Sequence, residues 1–193
     1  LDDLEAFNGE AMRDSVVVKK AGCAQCPIAC DHLCAVPKDH EIYKEYGDTY
    51  ASVDVELVYS FGTNCGTFDF PTVIKCIELV DSLGIDGISG GATAGMACEC
   101  YEKGIITKED LGYELPFGST INLVKFTEQM CLKEGFAGEV FGAGTRLAAK
   151  RLKEMGRSDN ADLYAMNIKG LELPAFDLHG MTSFAIGASV AIR

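Results

Sequence analysis

Apolar residues return at helical spacing through most of this chain. The clearest case is Val73, Ile74, Ile77 and Val80, which fall at i, i+1, i+4 and i+7 and predict one buried helix face. Asp69 stands where an N-cap is needed, Pro71 suits the first turn, and Leu83-Gly84 marks the stop. Further helices are expected over residues 1–14, 53–61, 89–103, 119–133 and 139–155. Gly104, Gly135 and Gly156 serve as the stops of the helices over 89–103, 119–133 and 139–155, and Thr107-Lys108-Glu109-Asp110 reads as a capped short turn. The helix over 139–155 should expose Arg146, Lys150, Arg151 and Lys153.

The pattern changes in three places. Ser15-Val16-Val17-Val18-Lys19-Lys20 is β-branched and predicts a brief extended segment. Residues 22–37 read as a cysteine-rich loop, and residues 38–50 as a polar, solvated connection. From residue 161 the periodicity fades, and Leu171-Glu172-Leu173-Pro174-Ala175-Phe176-Asp177 is extended and broken by its proline. The expected fold class is mainly α and multihelical. The expected organisation is a helical domain over 1–160 and the truncated beginning of a further domain over 161–193.

The helix over 89–103 is rich in small residues: Gly90, Gly91, Ala92, Ala94, Gly95 and Ala97. Such a surface lets another backbone or a flat ligand come close. The last residues, Phe184-Ala185-Ile186-Gly187-Ala188-Ser189-Val190-Ala191-Ile192, are small and apolar, as expected of a segment that packs on something further along.

Composition narrows the function classes. The chain has 29 acidic against 17 basic residues, a formal charge of −12, which repels phosphate backbones and argues against nucleic acid. No apolar run approaches the roughly 20 residues of a membrane helix, and the acidic start lacks a signal pattern. Nine cysteines, an odd number, with several inside helical patterns, fit a reducing cytoplasm and a metal site better than a disulfide framework.

The strongest chemical signal is Cys23-x2-Cys26-Pro27-x2-Cys30. Three thiols in one Gly- and Pro-punctuated loop can converge on one centre, and soft thiolates favour an iron–sulfur cluster or zinc. Three free buried cysteines are the plainer alternative. Zinc needs a fourth ligand, for which Cys34 or His32 is near enough. A cluster also needs a fourth, from Cys34 or from further along the chain. Cys65, Cys76, Cys98, Cys100 and Cys131 read as core residues, since Cys98 and Cys100 are two apart on a helix and face different ways.

Three features together resemble the tungsten-containing aldehyde ferredoxin oxidoreductase family. They are the three-cysteine motif followed by Asp31, Val55-Glu56-Leu57 leading into Phe61-Gly62-Thr63-Asn64-Cys65-Gly66, and Asp81-Ser82-Leu83-Gly84-Ile85-Asp86. The runs 98–104 and 169–177 are similar to that family as well, so the resemblance covers nearly the whole chain. It implies a fragment from the helical middle and the start of the carboxyl-terminal domain.

The resemblance also implies cofactors and roles. Cys23, Cys26 and Cys30 would supply three ligands to a 4Fe-4S cluster. Asp81, Gly84, Ile85 and Asp86 would grip one pterin of a tungsten (or molybdenum) bis-pterin, with Ile85 where the family has Leu. On its own such a motif is more often a solvated helix end. Glu56 matches the family's acidic residue beside the metal and would assist proton transfer; taken alone it reads as exposed or paired.

The implied reaction is oxidation of a small aldehyde to a carboxylate, with electrons passing to ferredoxin or an electron-transfer subunit, in an assembly that could be a homodimer. Two other readings stand beside it: the tungsten subunit of an aromatic acyl-CoA reductase complex, and a stand-alone iron–sulfur or zinc module without catalysis. The family's amino-terminal pterin-cradling sheet, second pterin motif, fourth cluster cysteine and active-site His are expected outside residues 1–193. The stretch 32–50 looks longer than the family's, and His179 is expected on the surface.

Overall fold

The computed structural model describes residues 5–176, 178 and 180–190. His179 and Asp177 lie outside the described residues, as do the first four and last three. The architecture is a helical body with a small antiparallel sheet on one side, in agreement with the mainly α expectation.

The helices are α1 Gly9–Ser15, α2 Glu41–Tyr46, α3 Val55–Phe61, α4 Phe70–Ser82, α5 Gly87–Glu102, α6 Lys108–Leu111, α7 Ile121–Leu132, α8 Gly135–Phe141, α9 Thr145–Glu154 and α10 Thr182–Val190. The three-stranded sheet runs β1 Val17–Ala21, β2 Asp31–Ala35, β3 Tyr50–Val53, and a short hairpin pairs β4 Asn167–Ile168 with β5 Leu171–Glu172. No helix among the described residues is long and apolar enough to cross a membrane.

Helix α4 forms as its sequence dictates. Asp69 Oδ2 accepts the Thr72 amide at 2.9 Å, Pro71 sits in the first turn, and Val73, Ile74, Ile77 and Val80 are fully buried. That apolar face packs against α7 and against β3, which carries the sheet onto the body. Helix α5 is the hub. It touches α3, α4, α7, α9, the 3-10 turns Thr63–Cys65 and Ala161–Tyr164, and β5.

The small residues of α5 make that hub. Gly87, Gly91 and Gly95 recur every fourth residue and so line one face. A Cβ on Gly87 would strike Leu57, one on Gly91 the side chain and backbone of Ser60, and one on Gly95 the Asn64 side chain. The stripe is met by Leu57 and Ser60 of α3 and by Asn64 in the turn after it, so the close approach anticipated there is made by another segment of the chain, while Ala92 and Gly95 also face a cavity.

Three expectations need correction. The second half of the cysteine loop is strand β2, which pairs with β1 (Ala21 with Asp31) and β3 (Cys34 with Ala51). The polar connection contains α2, capped by His40 Nδ1 accepting the Ile42 amide at 3.3 Å, and then β3; the helix expected from residue 53 therefore begins at Val55, with Asp54 as its cap. The single helix over 139–155 is two, α8 and α9, because the chain turns at Gly142-Ala143-Gly144 and Gly144 has φ +86°.

Candidate cofactor site and cavity

Strands β1 and β2 close the loop that carries Cys23, Cys26 and Cys30. Ala21 pairs with Asp31, and a Cβ on Gly22 would meet the Ala29 Cα at 3.0 Å, so the two ends of the loop touch. Within it the Cys26 amide donates to the Cys23 carbonyl at 3.0 Å. Gln25 and Ala29 hold left-handed φ values of 65° and 47°, which side chains rarely adopt. All three thiols are free and exposed, so the core does not use them. Cys34, by contrast, is fully buried in β2, and burial followed by the charge of Asp31 pushes its thiol up to about 11.

The donor set fits an iron–sulfur cluster in kind: three soft thiols, uncommitted to packing, on one short loop. Their spacing in the structure is a different matter. Among the described residues no group of three His, Cys, Asp or Glu side chains is placed to hold a single metal ion.

The Asp81-to-Asp86 motif is the joint between α4 and α5. Gly84 takes φ +70° past the end of α4, and the Ile85 amide reaches back to the Val80 carbonyl at 2.8 Å while its side chain packs on the core. Asp86 Oδ2 then accepts the Ser89 amide at 2.8 Å and starts α5. Gly84, Ile85 and half of the Asp86 carboxylate thus have a structural task. The Asp81 carboxylate is exposed, and the other Asp86 oxygen takes no part in the cap.

The motifs are neighbours. Although Asp81 is exposed, partial loss of solvent around its carboxyl, and after it the negative charges of Asp31, Asp54 and Glu78, hold it above its usual range. Asp31 follows Cys30 and is bonded by the Ser52 hydroxyl. Asp54 caps α3 through the Leu57 amide at 3.0 Å, two residues before Glu56. The cysteine loop, the start of the Glu56 helix and the Asp81 joint therefore share one acidic corner.

Glu56 is half-buried, and its Oε2 accepts the Ala175 amide at 2.8 Å. One turn on along α3, Tyr59 and Ser60, and then Asn64 of the following 3-10 turn, line a cavity of about 470 Å³. Its other walls are Ala92, Gly95, Met96 and Glu99 of α5, Phe117, and, further along the chain, Tyr164, Met166, residues 173–176 and Leu178. Sequence reading missed this cavity. Glu99 is hidden between two buried cysteines, and no periodicity singles it out.

The remaining cysteines are core residues. Cys65, Cys76, Cys98 and Cys100 are fully buried. The Cys65 thiol is raised by its hydrogen bond to Cys98 and then by burial, and burial takes Cys76 and Cys100 to about 12.

The family described as aldehyde ferredoxin oxidoreductase, domains 2 & 3, matches residues 1–193. A tungsten-containing aldehyde ferredoxin oxidoreductase of Pyrococcus furiosus is 34% identical over 182 residues, covering 93% of this chain and 27% of that protein. An aliphatic sulfonate oxidoreductase, WOR-like subunit, of the same organism is 33% identical over 171 residues, covering 86% of this chain and 26% of that protein. The active-site complex of benzoyl coenzyme A reductase with 1,5-dienoyl-CoA shares the fold, with a TM-score of 0.62 and 20% identity over 84% of this chain and 22% of that one.

These matches define a tungsten oxidoreductase class of fold. The chain belongs to the aldehyde ferredoxin oxidoreductase family and spans about a quarter of the length of the curated relatives it matches.

Proposed function

We propose that the protein containing this chain oxidises an aldehyde to a carboxylic acid and passes two electrons through a four-iron cluster to ferredoxin or an electron-transfer subunit. The observation that supports this reading is the packing around β3 and α3: the Ser52 hydroxyl, four residues before Glu56, bonds Asp31 beside Cys30, and Leu57, next to Glu56, packs against Gly87 beside Asp86.

When bound, a tungsten (or molybdenum) bis-pterin would supply the redox chemistry by which an aldehyde and water give a carboxylate, three protons and two electrons. Cys23, Cys26 and Cys30 would hold the cluster. Asp81 and Asp86 would face the pterin, positioned by Gly84 and Ile85. Glu56 would keep Oε2 on the Ala175 amide and use Oε1 to take up a proton and pass it to solvent. Cys65, Cys76, Cys98 and Cys100 are free as well as buried, in keeping with the reducing cytoplasm this reading proposes as the compartment.

Membership in an aromatic acyl-CoA reductase complex is the second reading, and it draws on likeness of fold alone. Metal content tests both against a plain structural module. The purified full-length protein should carry tungsten with about four irons, and it should reduce a viologen dye when given an aldehyde. Zinc as the only metal would end the proposal; tungsten and iron with no aldehyde turnover would favour the second reading.

A further inference from the structure

We propose that Glu99 selects ligands by charge, so that the cavity beside Glu56 admits an uncharged, ring-bearing aldehyde and turns away carboxylates and sulfonates. This rests on the cavity being where substrate meets the centre described above. The walls suit a ring. Tyr59, Phe117, Tyr164 and Phe176 supply aromatic surface, and Met96 adds a polarisable sulfur that packs well on ring edges. At about 470 Å³ the space falls within the usual range for small-molecule pockets, about 300–1,000 Å³.

Charge decides which ring. Glu99 is a lining carboxylate, and Glu56, outside the lining, is bonded to the lining Ala175. No lysine, arginine or histidine is among the described lining residues. An anion entering here would leave water for a site whose lining already carries like charge, which costs more than admitting a neutral ring. A neutral aldehyde meets no such barrier, whereas the acid formed from it is an anion. The same carboxylate that lets substrate in therefore drives product out.

The experiment compares a neutral and an anionic ring, benzamide and benzoate, by ligand-observed NMR on the purified protein. Benzamide should bind at least about tenfold more tightly than benzoate. Glu99→Gln should shrink that ratio by about tenfold, through tighter benzoate binding, and leave benzamide within about twofold. Glu99→Asp keeps the charge and should keep the ratio; circular dichroism confirms that both variants fold. The proposal is overturned if benzamide does not bind, if Glu99→Gln leaves the ratio unchanged, or if it shifts both ligands equally. Metal content is read separately. Selection without tungsten would sink the proposed function alone, and tungsten without selection would sink this inference alone.

Discussion

Glu56 Oε2 stands 2.8 Å from the backbone nitrogen of Ala175, joining α3 to a segment 119 residues downstream. One carboxylate oxygen is thus held, and the proposed proton transfer would use the other. Glu56→Gln can keep the bond through its amide oxygen but cannot carry a proton. It should preserve the melting temperature and lower aldehyde turnover by about 10²–10⁴-fold. Glu56→Ala also strands the Ala175 amide, at a cost of about 1–3 kcal/mol, and residues 173–176 should then be cut faster by protease. Full activity in the Gln variant would remove Glu56 from proton transfer.

The cysteine loop separates stability from cofactor content. Cys23, Cys26 and Cys30 are exposed and unbonded to one another, so replacing any of them by serine should change stability by no more than about 0.5 kcal/mol. Iron content should nevertheless collapse in each variant, as measured by elemental analysis. Cys34→Ser is the contrasting control. It places a hydroxyl in the core and should lower the melting temperature through packing. Iron retained in all three loop variants would mean that the cluster is held elsewhere.

Local signals were legible in the sequence where neighbours along the chain decide the outcome. Asp69, Pro71 and the Val73-to-Val80 face specify α4, and Asp81-to-Asp86 specifies a helix end. The reading fails where distant contacts decide. His32-Leu33-Cys34-Ala35 becomes a strand only because β1 and β3 pair with it. The α8–α9 break was overridden by an apolar rhythm that continues across Gly144. Cys23, Cys26 and Cys30 stand out by spacing, but the cavity at Glu99 is assembled from segments far apart in the chain and leaves no such trace.

The glycines of α5 and of the α4–α5 joint differ in what restrains them. A side chain at Gly91 would collide with Ser60, including its backbone, and neither helix can yield cheaply. Gly91→Ala should cost about 1–3 kcal/mol or more by overpacking. Nothing lies within 4 Å of a Cβ at Gly84, so Gly84→Ala bears only its φ of +70°, about 1–2 kcal/mol. Chemical denaturation should rank Gly91→Ala as the more damaging. The reverse order would mean that α3 and α5 are less tightly seated than these contacts require.

Asp81 makes a pH-dependent prediction. Its folded carboxyl is raised by partial loss of solvent and by Asp31, Asp54 and Glu78, so the native state holds a proton more tightly than the unfolded chain. Stability from this group is therefore lost as pH rises through the window between the ordinary carboxylate value and the raised one. Asp81→Asn removes that loss. It should melt higher than the parent protein near pH 7, with the difference vanishing below the ordinary carboxylate range. A variant that melts lower at neutral pH would show that Asp81 makes a favourable contact outweighing its three acidic neighbours.

Glu172 is the buried charge that fastens the β4–β5 hairpin to the helical body. It is only 6% exposed, and its Oε1 accepts both the Thr145 amide at 2.8 Å and the Thr145 hydroxyl at 2.9 Å. Thr145 opens α9, where unpaired amides and the helix dipole favour an anion. Glu172→Gln keeps an acceptor and loses only the charge, about 0.3–1 kcal/mol. Glu172→Ala leaves a buried amide and hydroxyl without an acceptor and should cost about 1–3 kcal/mol. At about 2–4 °C per kcal/mol for a chain of this size, the Ala variant should melt several degrees below the Gln variant. Equal melting temperatures would mean that water replaces the carboxylate at Thr145, and the hairpin would then be held by apolar packing instead.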